Sequence, residues 1–231
     1  KLNHFIAAKS ADLNIVDNEL YRLSLKNIFN ATSQVIRYGG DHVQKVTVTN
    51  ILKSKYPFSN QKYIVSVSRS QIDNNLHLVL TAFKNIKNIK LVLISNWKNS
   101  SYGRSLFAKY KNIENYILLD AIYNKNELDF IRGNAFVYIH SHSRCGTAPS
   151  LLEAMNLSLP IISFDVPVNR EVTKNKAMYF SNENDLSTLI SNLNENDILK
   201  NKRNMLNIAS MDYTWEVVSK KYRNAIENLY N

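Results

Sequence analysis

Short apolar runs alternate with amphipathic segments from residue 62 to residue 193, and this alternation constrains the chain more than any other feature. KYIVSVS (62–68) reads as a buried strand, and DNNLHLVLTAFKNI after it places Leu76, Val79, Leu80 and Phe83 at helical spacing. KLVLIS (90–95) and YGRSLFAKYKN form the next strand and helix. NYILLD (115–120) and KNELDFIRG follow, with Gly133 expected as the C-terminal cap. AFVYIH (135–140) then leads through a loop into the helix SLLEAMN. LPIISFD (159–165) and AMYF (177–180) read as the last strands, and ENDLSTLISNL and residues 196–209 as helices. Strand and helix alternate about six times, the pattern of a parallel sheet covered by helices on both faces. Such Rossmann-like α/β sheets take ligands beyond the carboxyl ends of their strands, where strand order reverses. Arg69, His140 and the stretch from Asn169 to Glu171 all fall just after strands.

The two ends differ from this middle. Residues 11–42 read as a separate strand, helix and strand closed by a Gly-Gly turn, and 45–61 as a connector. The last stretch repeats Trp215, Val218, Tyr222, Ile226 and Leu229 at helical spacing, an apolar stripe that must pack on something. The expected division is 1–45, 46–61, 62–210 and 211–231.

Composition excludes several classes. Of 231 residues, 45% are hydrophobic, enough for a real core and too many for a disordered chain. No apolar run reaches the roughly 20 residues of a membrane span, and KLNHFIAAKSADLN lacks a signal peptide's apolar stretch. The first residue is Lys1 rather than Met, so the start is expected to be missing. One cysteine rules out an internal disulfide framework and a thiolate zinc cage, and suits a reducing, cytoplasmic setting. The net charge of +10 favours an anionic partner, yet the basic residues are scattered and show no aromatic interleaving on one face, so nucleic acid is not expected.

Residues 140–155, HSHSRCGTAPSLLEAM, concentrate the chemistry. Pro149 suits the first turn of a helix, so the helix starts near Thr147 or Ala148. Gly146 lets backbone approach a ligand closely. The free N–H groups and positive dipole end then suit a phosphate. Glu153 lies one turn inside on the same face. It reads either as a partner for a pair of sugar hydroxyls or as a plain dipole-neutralising residue. Arg69 reads as a diphosphate clamp or a surface arginine. His140 reads as a sugar-hydroxyl donor and proton shuttle or a satisfied core histidine, with His142 and His77 weaker candidates. Cys145 reads as packing beside a turn, or as a nucleophile. No G-x-G-x-x-G, Walker loop or G-x-S-x-G elbow is present, and DVPVNREV contains no Asp-x-Asp. No metal or cofactor is expected.

IVSVSRSQIDNNLHLVLTAF and FVYIHSHSRCGTAPSLLEAMNLSLPIISFDVPVNREV resemble, in order and spacing, the signature regions of retaining, GT-B-type nucleotide-sugar glycosyltransferases of group 1 (family 4). The subgroup making bacterial surface polysaccharides, including rhamnosyltransferases, is similar in its His-x-His, Gly-Thr-x-Pro-Ser-Leu-x-Glu-Ala and Asn-Arg-Glu elements. The resemblance spans residues 11 to 231 and implies a donor-binding half. Glu153 would hold the nucleotide ribose. Gly146, Thr147 and Ala148 would offer N–H groups to the diphosphate, and Arg69 would bind phosphate. His140 would sit beside the donor sugar. Asp120 and Ile122 would flank the base, and Asn169 and Arg170 belong to the same donor-binding set. The family's first motif glutamate is here Cys145, its usual lysine is Asn74, and Ser68 replaces a glycine.

The resemblance therefore implies metal-independent sugar transfer, with retention, from a nucleoside-diphosphate sugar to a glycan or polyprenyl-linked acceptor in surface polysaccharide or capsule synthesis. It implies peripheral contact with the anionic inner leaflet, and a first domain present only as its tail, so that the fragment alone turns over little. A sugar-nucleotide epimerase of related architecture is the alternative among enzymes, and a basic nucleic-acid-binding module the alternative outside them.

Overall fold

The computed structural model describes residues 2–230. Six strands form one parallel sheet: β3 (Tyr63–Val67), β4 (Lys90–Ser95), β5 (Tyr116–Asp120), β6 (Val137–His140), β7 (Ile161–Phe164) and β8 (Met178–Phe180). Their order is β5-β4-β3-β6-β7-β8. The chain builds outward from β3 in one direction and, after crossing over, outward from β6 in the other. The reversal therefore lies between β3 and β6, and a crevice opens beyond their carboxyl ends.

Alternate residues feed two cores, as the two-residue period of a strand requires. Tyr63, Val65, Tyr138 and Ile161 point to one face, beneath α6 (Lys125–Gly133), α7 (Pro149–Asn156) and α10 (Glu195–Asp212). Ile64, Leu91, Leu93, Val137, Ile139 and Ile162 point to the other, beneath α4 (Leu76–Ala82), α5 (Ser101–Tyr110) and α9 (Glu183–Ser191). Burial on both faces explains why the strands read as continuous apolar runs.

The N-terminal unit holds β1 (Asn14–Val16) and β2 (Ser33–Val35), paired in parallel and joined by α2 (Glu19–Phe29), as the sequence predicts. It is preceded by α1 (Leu2–Ser10), which the sequence did not announce. The connector carries a short helix, α3 (Asn50–Lys55). Gly133 is not the cap of α6: it is the last helical residue, and Asn134 caps the helix. A further helix, α8 (Pro167–Val172), follows β7 where the sequence predicts no element, with Pro167 opening it. The last helix, α11 (Trp215–Tyr230), returns to the N-terminal unit, where Val218 and Ala225 pack on Ile36.

Three contacts seat the N-terminal unit on the sheet. Arg37 pairs with Glu171 of α8. The Gly40 N–H donates to the Tyr213 carbonyl at 2.8 Å, and a Cβ at Gly40 would stand 2.8 Å from the Leu152 carbonyl oxygen of α7. The Gly-Gly turn is thus fixed by close approach, and it brings the β1–α2 junction over the start of α7.

Candidate functional site

A cleft of about 640 Å³ lies at the strand-order reversal, the size of a small-molecule site. Arg69 follows β3 at its mouth. His142, Arg144, Cys145 and the 146–150 turn come from the β6–α7 connection, and Ile122 and Tyr123 follow β5. Asp17 and Tyr38 reach in from the N-terminal unit.

The helix start is built for an anion. Helices α2, α5, α6, α9 and α10 each have an N-cap side chain accepting a backbone N–H. The N-cap of α7 is Ala148, which has no such group, and Pro149 occupies the first position. Pro149 has no N–H and the Leu151 N–H donates to the Ala148 carbonyl at 3.0 Å, so the Ala148 and Ser150 N–H groups are the ones left at the cleft without a capping side chain. Thr147, just before the cap, departs from its expected role: its N–H is not free for a diphosphate but donates to Asp17 Oδ2 at 3.0 Å, and its hydroxyl to the Asp17 carbonyl at 2.5 Å.

Arg69, Asn74, Gly146, Thr147, Ala148 and Ile122, all singled out by the sequence, come together in this cleft. Arg69 is exposed, so its guanidinium is open to a ligand. Asn74 acts through another group: its amide donates to the Arg69 carbonyl at 2.8 Å and so shapes the turn that presents the arginine.

Other expected residues lie behind or beside the cleft. His140 is the last residue of β6, paired with Ser163 and fully buried. His142, rated weaker from sequence, is the histidine in the lining, and the two rings lie 4.3 Å apart. Asn169 is buried and ties the floor together, donating to the His142 and Phe164 carbonyls at 2.9 Å each. Arg170 pairs with Asp165 at 2.8 Å and stacks on Tyr179, away from the lining. Asp120 ends β5 exposed, outside the lining.

Glu153 also stands behind the lining. One carboxylate oxygen pairs with Arg132, which itself holds Asp129 at 3.1 Å. The other lies 2.9 Å from His42 Nε2. The Trp215 indole can only donate, and it reaches His42 Nδ1 at 3.3 Å, so Nε2 carries the hydrogen toward Glu153. Arg132 is buried, whereas His42 is 43% exposed and exchangeable.

The floor is a neutral patch. Ligand atoms of His140, His142 and Cys145 lie within 4.8 Å of one another, a grouping that the sequence pattern did not single out as metal-binding. Burial pushes the Cys145 thiol up to about 11, so it is no thiolate nucleophile at neutral pH. Burial holds His140 well below its usual value and His142 down to about 4. Both imidazoles are uncharged at neutrality, and His142 Nε2 has no partner within the protein.

These depressed values carry a pH dependence. Between about pH 6.5 and pH 4 the unfolded chain binds protons at these histidines that the folded chain refuses, so stability falls as pH falls through that window. The thermal midpoint is expected to drop over this range, and less steeply in His142→Asn. Equal slopes would show that His142 does not titrate as its burial requires.

Comparison with known proteins decides the family. The family model for Glycosyl transferases group 1 matches residues 48–210. The chain belongs to this family. It is 23% identical over 146 residues to Glycosyltransferase 1 domain-containing protein 1 of Xenopus tropicalis, covering 62% of this chain and 42% of that protein. Among solved structures, sucrose-phosphate synthase from Thermosynechococcus elongatus is 14% identical with a TM-score of 0.81, over 99% of this chain and 61% of that one. Anabaena HepE in complex with UDP-glucose is 13% identical with a TM-score of 0.82, over 96% and 65%. The pneumococcal O-GlcNAc transferase GtfA, in complex with UDP and GlcNAc, is 17% identical with a TM-score of 0.70, over 99% and 47%. These likenesses establish the fold, that of a GT-B glycosyltransferase domain. The chain spans less than half of the curated relative and at most about two thirds of these solved chains. Asp17 and Tyr38 are cleft residues that no motif marked, and Arg144, inside the 140–155 stretch, was given no role from the sequence. Asp17 and Tyr38 lie more than a hundred residues before the 146–150 turn in sequence and are brought in by the Gly-Gly turn.

Proposed function

We propose that the cleft binds a nucleoside-diphosphate sugar and that the whole protein transfers the sugar, with retention, to a glycan or polyprenyl-linked acceptor, as a family 4 enzyme of surface-polysaccharide type. The observation that carries this reading is the convergence of Arg69 with the uncapped start of α7 at the strand-order reversal. An anion held there meets an arginine fork and oriented N–H groups, and both gain strength as the diphosphate leaves and its charge grows.

The remaining lining suits the rest of such a donor. Ile122 and Tyr123 offer an apolar wall and an aromatic face to the base. The ribose would lie against α7 and exchange its diol for His42 on the Glu153 carboxylate. The Cys145 thiol is uncharged and is no nucleophile; in this reading the acceptor hydroxyl attacks the sugar carbon from the side on which the diphosphate departs, and passes its proton to the departing phosphate oxygen. Positive charge from Arg69, Arg144 and α7 serves the leaving group without a resident metal. The excess of basic residues, +10 in all, supports peripheral contact with an anionic cytoplasmic membrane face, where a polyprenyl-linked acceptor would be met. None of the helices among the described residues is long and apolar enough to cross a membrane.

The test is incubation of the whole enzyme with UDP-, GDP- and dTDP-sugars and a polyprenyl-linked glycan, following nucleotide release and the anomeric configuration of the product. Acceptor-dependent release of one nucleotide with retained configuration is expected. Conversion of the sugar nucleotide without an acceptor would indicate an epimerase instead, and release of none would remove the proposal.

A further inference from the structure

Asp17 follows β1 of the N-terminal unit, and its side chain lies in the cleft, 130 residues away in sequence from the turn it touches. It is fixed on several sides. Oδ2 accepts the Thr147 N–H at 3.0 Å, Oδ1 accepts the Asn18 amide at 3.0 Å, and the Asp17 carbonyl accepts the Thr147 hydroxyl. Gly146 makes the room: a Cβ there would collide with the Asp17 carboxylate. No lysine, arginine or histidine among the described residues forms an ion pair with Asp17. A carboxylate has about four acceptor positions, and the protein's hydrogen bonds fill two of them, so acceptor capacity remains in a group that lines the cleft.

We propose that Asp17 is the carboxylate that recognises the donor's sugar, so that sugar specificity is set by a residue of the N-terminal unit. The inference rests on the nucleotide-sugar reading above. Charge decides which end of the donor meets Asp17. A diphosphate is repelled by a fixed carboxylate and is drawn to Arg69 and the first turn of α7. The neutral, hydroxyl-bearing end of the donor is the part that can lie against Asp17, donating O–H groups in charge-assisted hydrogen bonds. The loop SHSRCGTA, residues 141–148, contains no acidic residue of its own. Asp17 places a carboxylate directly against Gly146 of that loop, and Asp73 is the other carboxylate residue of the cleft lining. Binding the sugar thereby also fastens the β1–α2 junction to the sheet.

The experiment is calorimetry on the whole protein with UDP and UDP-glucose, GDP and GDP-mannose, and dTDP and dTDP-rhamnose, using the pair that wild type binds most tightly. Asp17→Asn keeps the size of the side chain and an acceptor for Thr147. It is expected to bind the bare nucleoside diphosphate no more weakly than wild type does, and to weaken the sugar nucleotide about tenfold. A deoxy-sugar analogue of that donor gives a second measurement, independent of any loss of folding in the variant. It is expected to bind wild type more weakly than the parent donor, and Asp17→Asn no more weakly. Equal loss for diphosphate and sugar nucleotide, or tighter binding of both, would overturn the inference alone. Failure of wild type to bind any pair would overturn the nucleotide-sugar reading, and this inference with it.

Discussion

Arg69→Ala in the whole enzyme is expected to lower kcat/KM for the donor about 10²–10³-fold, equivalent to roughly 3–4 kcal/mol of lost transition-state stabilisation. The reason is positional. Arg69 is the second residue after β3 at the strand-order reversal, and the Asn74 amide holds its backbone carbonyl at 2.8 Å. Its side chain makes no hydrogen bond or ion pair among the described residues and is exposed. Removing it therefore costs little stability, within about 0.5 kcal/mol, and the loss of rate cannot be blamed on unfolding. Arg69→Lys keeps the charge but loses the planar fork, so partial recovery is expected. Steady-state kinetics with a matched thermal melt checks both statements. A loss below about threefold would show that the diphosphate does not depend on Arg69.

Glu153 is expected to combine two effects that separate cleanly. Glu153→Ala removes one of two carboxylates from the buried Arg132 guanidinium, whose Nε already lacks a partner. An under-compensated buried charge costs on the order of 3 kcal/mol, visible as a lower urea midpoint at unchanged m. Glu153→Gln keeps the shape and an acceptor for Arg132, so its stability loss is smaller, about 1–2 kcal/mol. Its effect on binding is the informative one. If the carboxylate holds the ribose diol, wild type should bind a 2′-deoxy nucleoside diphosphate about tenfold more weakly than the ribo form, and Glu153→Gln should bind the two alike. His42→Ala is the control, since His42 is exposed and its removal frees the Glu153 oxygen without disturbing Arg132. A deoxy penalty that persists in Glu153→Gln would leave Glu153 as a purely structural anchor for Arg132.

The sheet was legible in the sequence because burial on both faces makes each strand a continuous Val, Ile and Leu run, bounded by polar segments. KLVLIS and FVYIH could hardly be anything else. The start of α7 was legible for a similarly local reason: Pro149 marks the first turn and Gly146 marks a close approach. What no local pattern showed was orientation and distant partnership. His140 reads as the stronger candidate of HSH, but β6 runs through His140 and buries it against Ser163, while His142 lies past the strand end and lines the cleft. Asp17 and Tyr38 carry no motif and enter the site only because Gly40 and Arg37 dock the N-terminal unit on α7 and α8. The helix α8 went unseen because six residues opened by a proline leave too short a pattern to read. Gly133 looked like a cap since glycine is common there, yet Asn134 takes that position.

In the proposed function, the crevice between the ends of β3 and β6 holds the diphosphate of a nucleotide. Amide chemical shifts of ¹⁵N-labelled protein titrated with UDP, GDP and dTDP test it most directly, because the N–H groups of the α7 start are themselves the proposed ligands. The expected result is saturable shifts for one of the three, centred on Arg69 and on Gly146, Thr147, Ala148 and Ser150, and weakened in Arg69→Ala. Shifts confined to other surfaces, with these amides unmoved at saturation, would contradict the account.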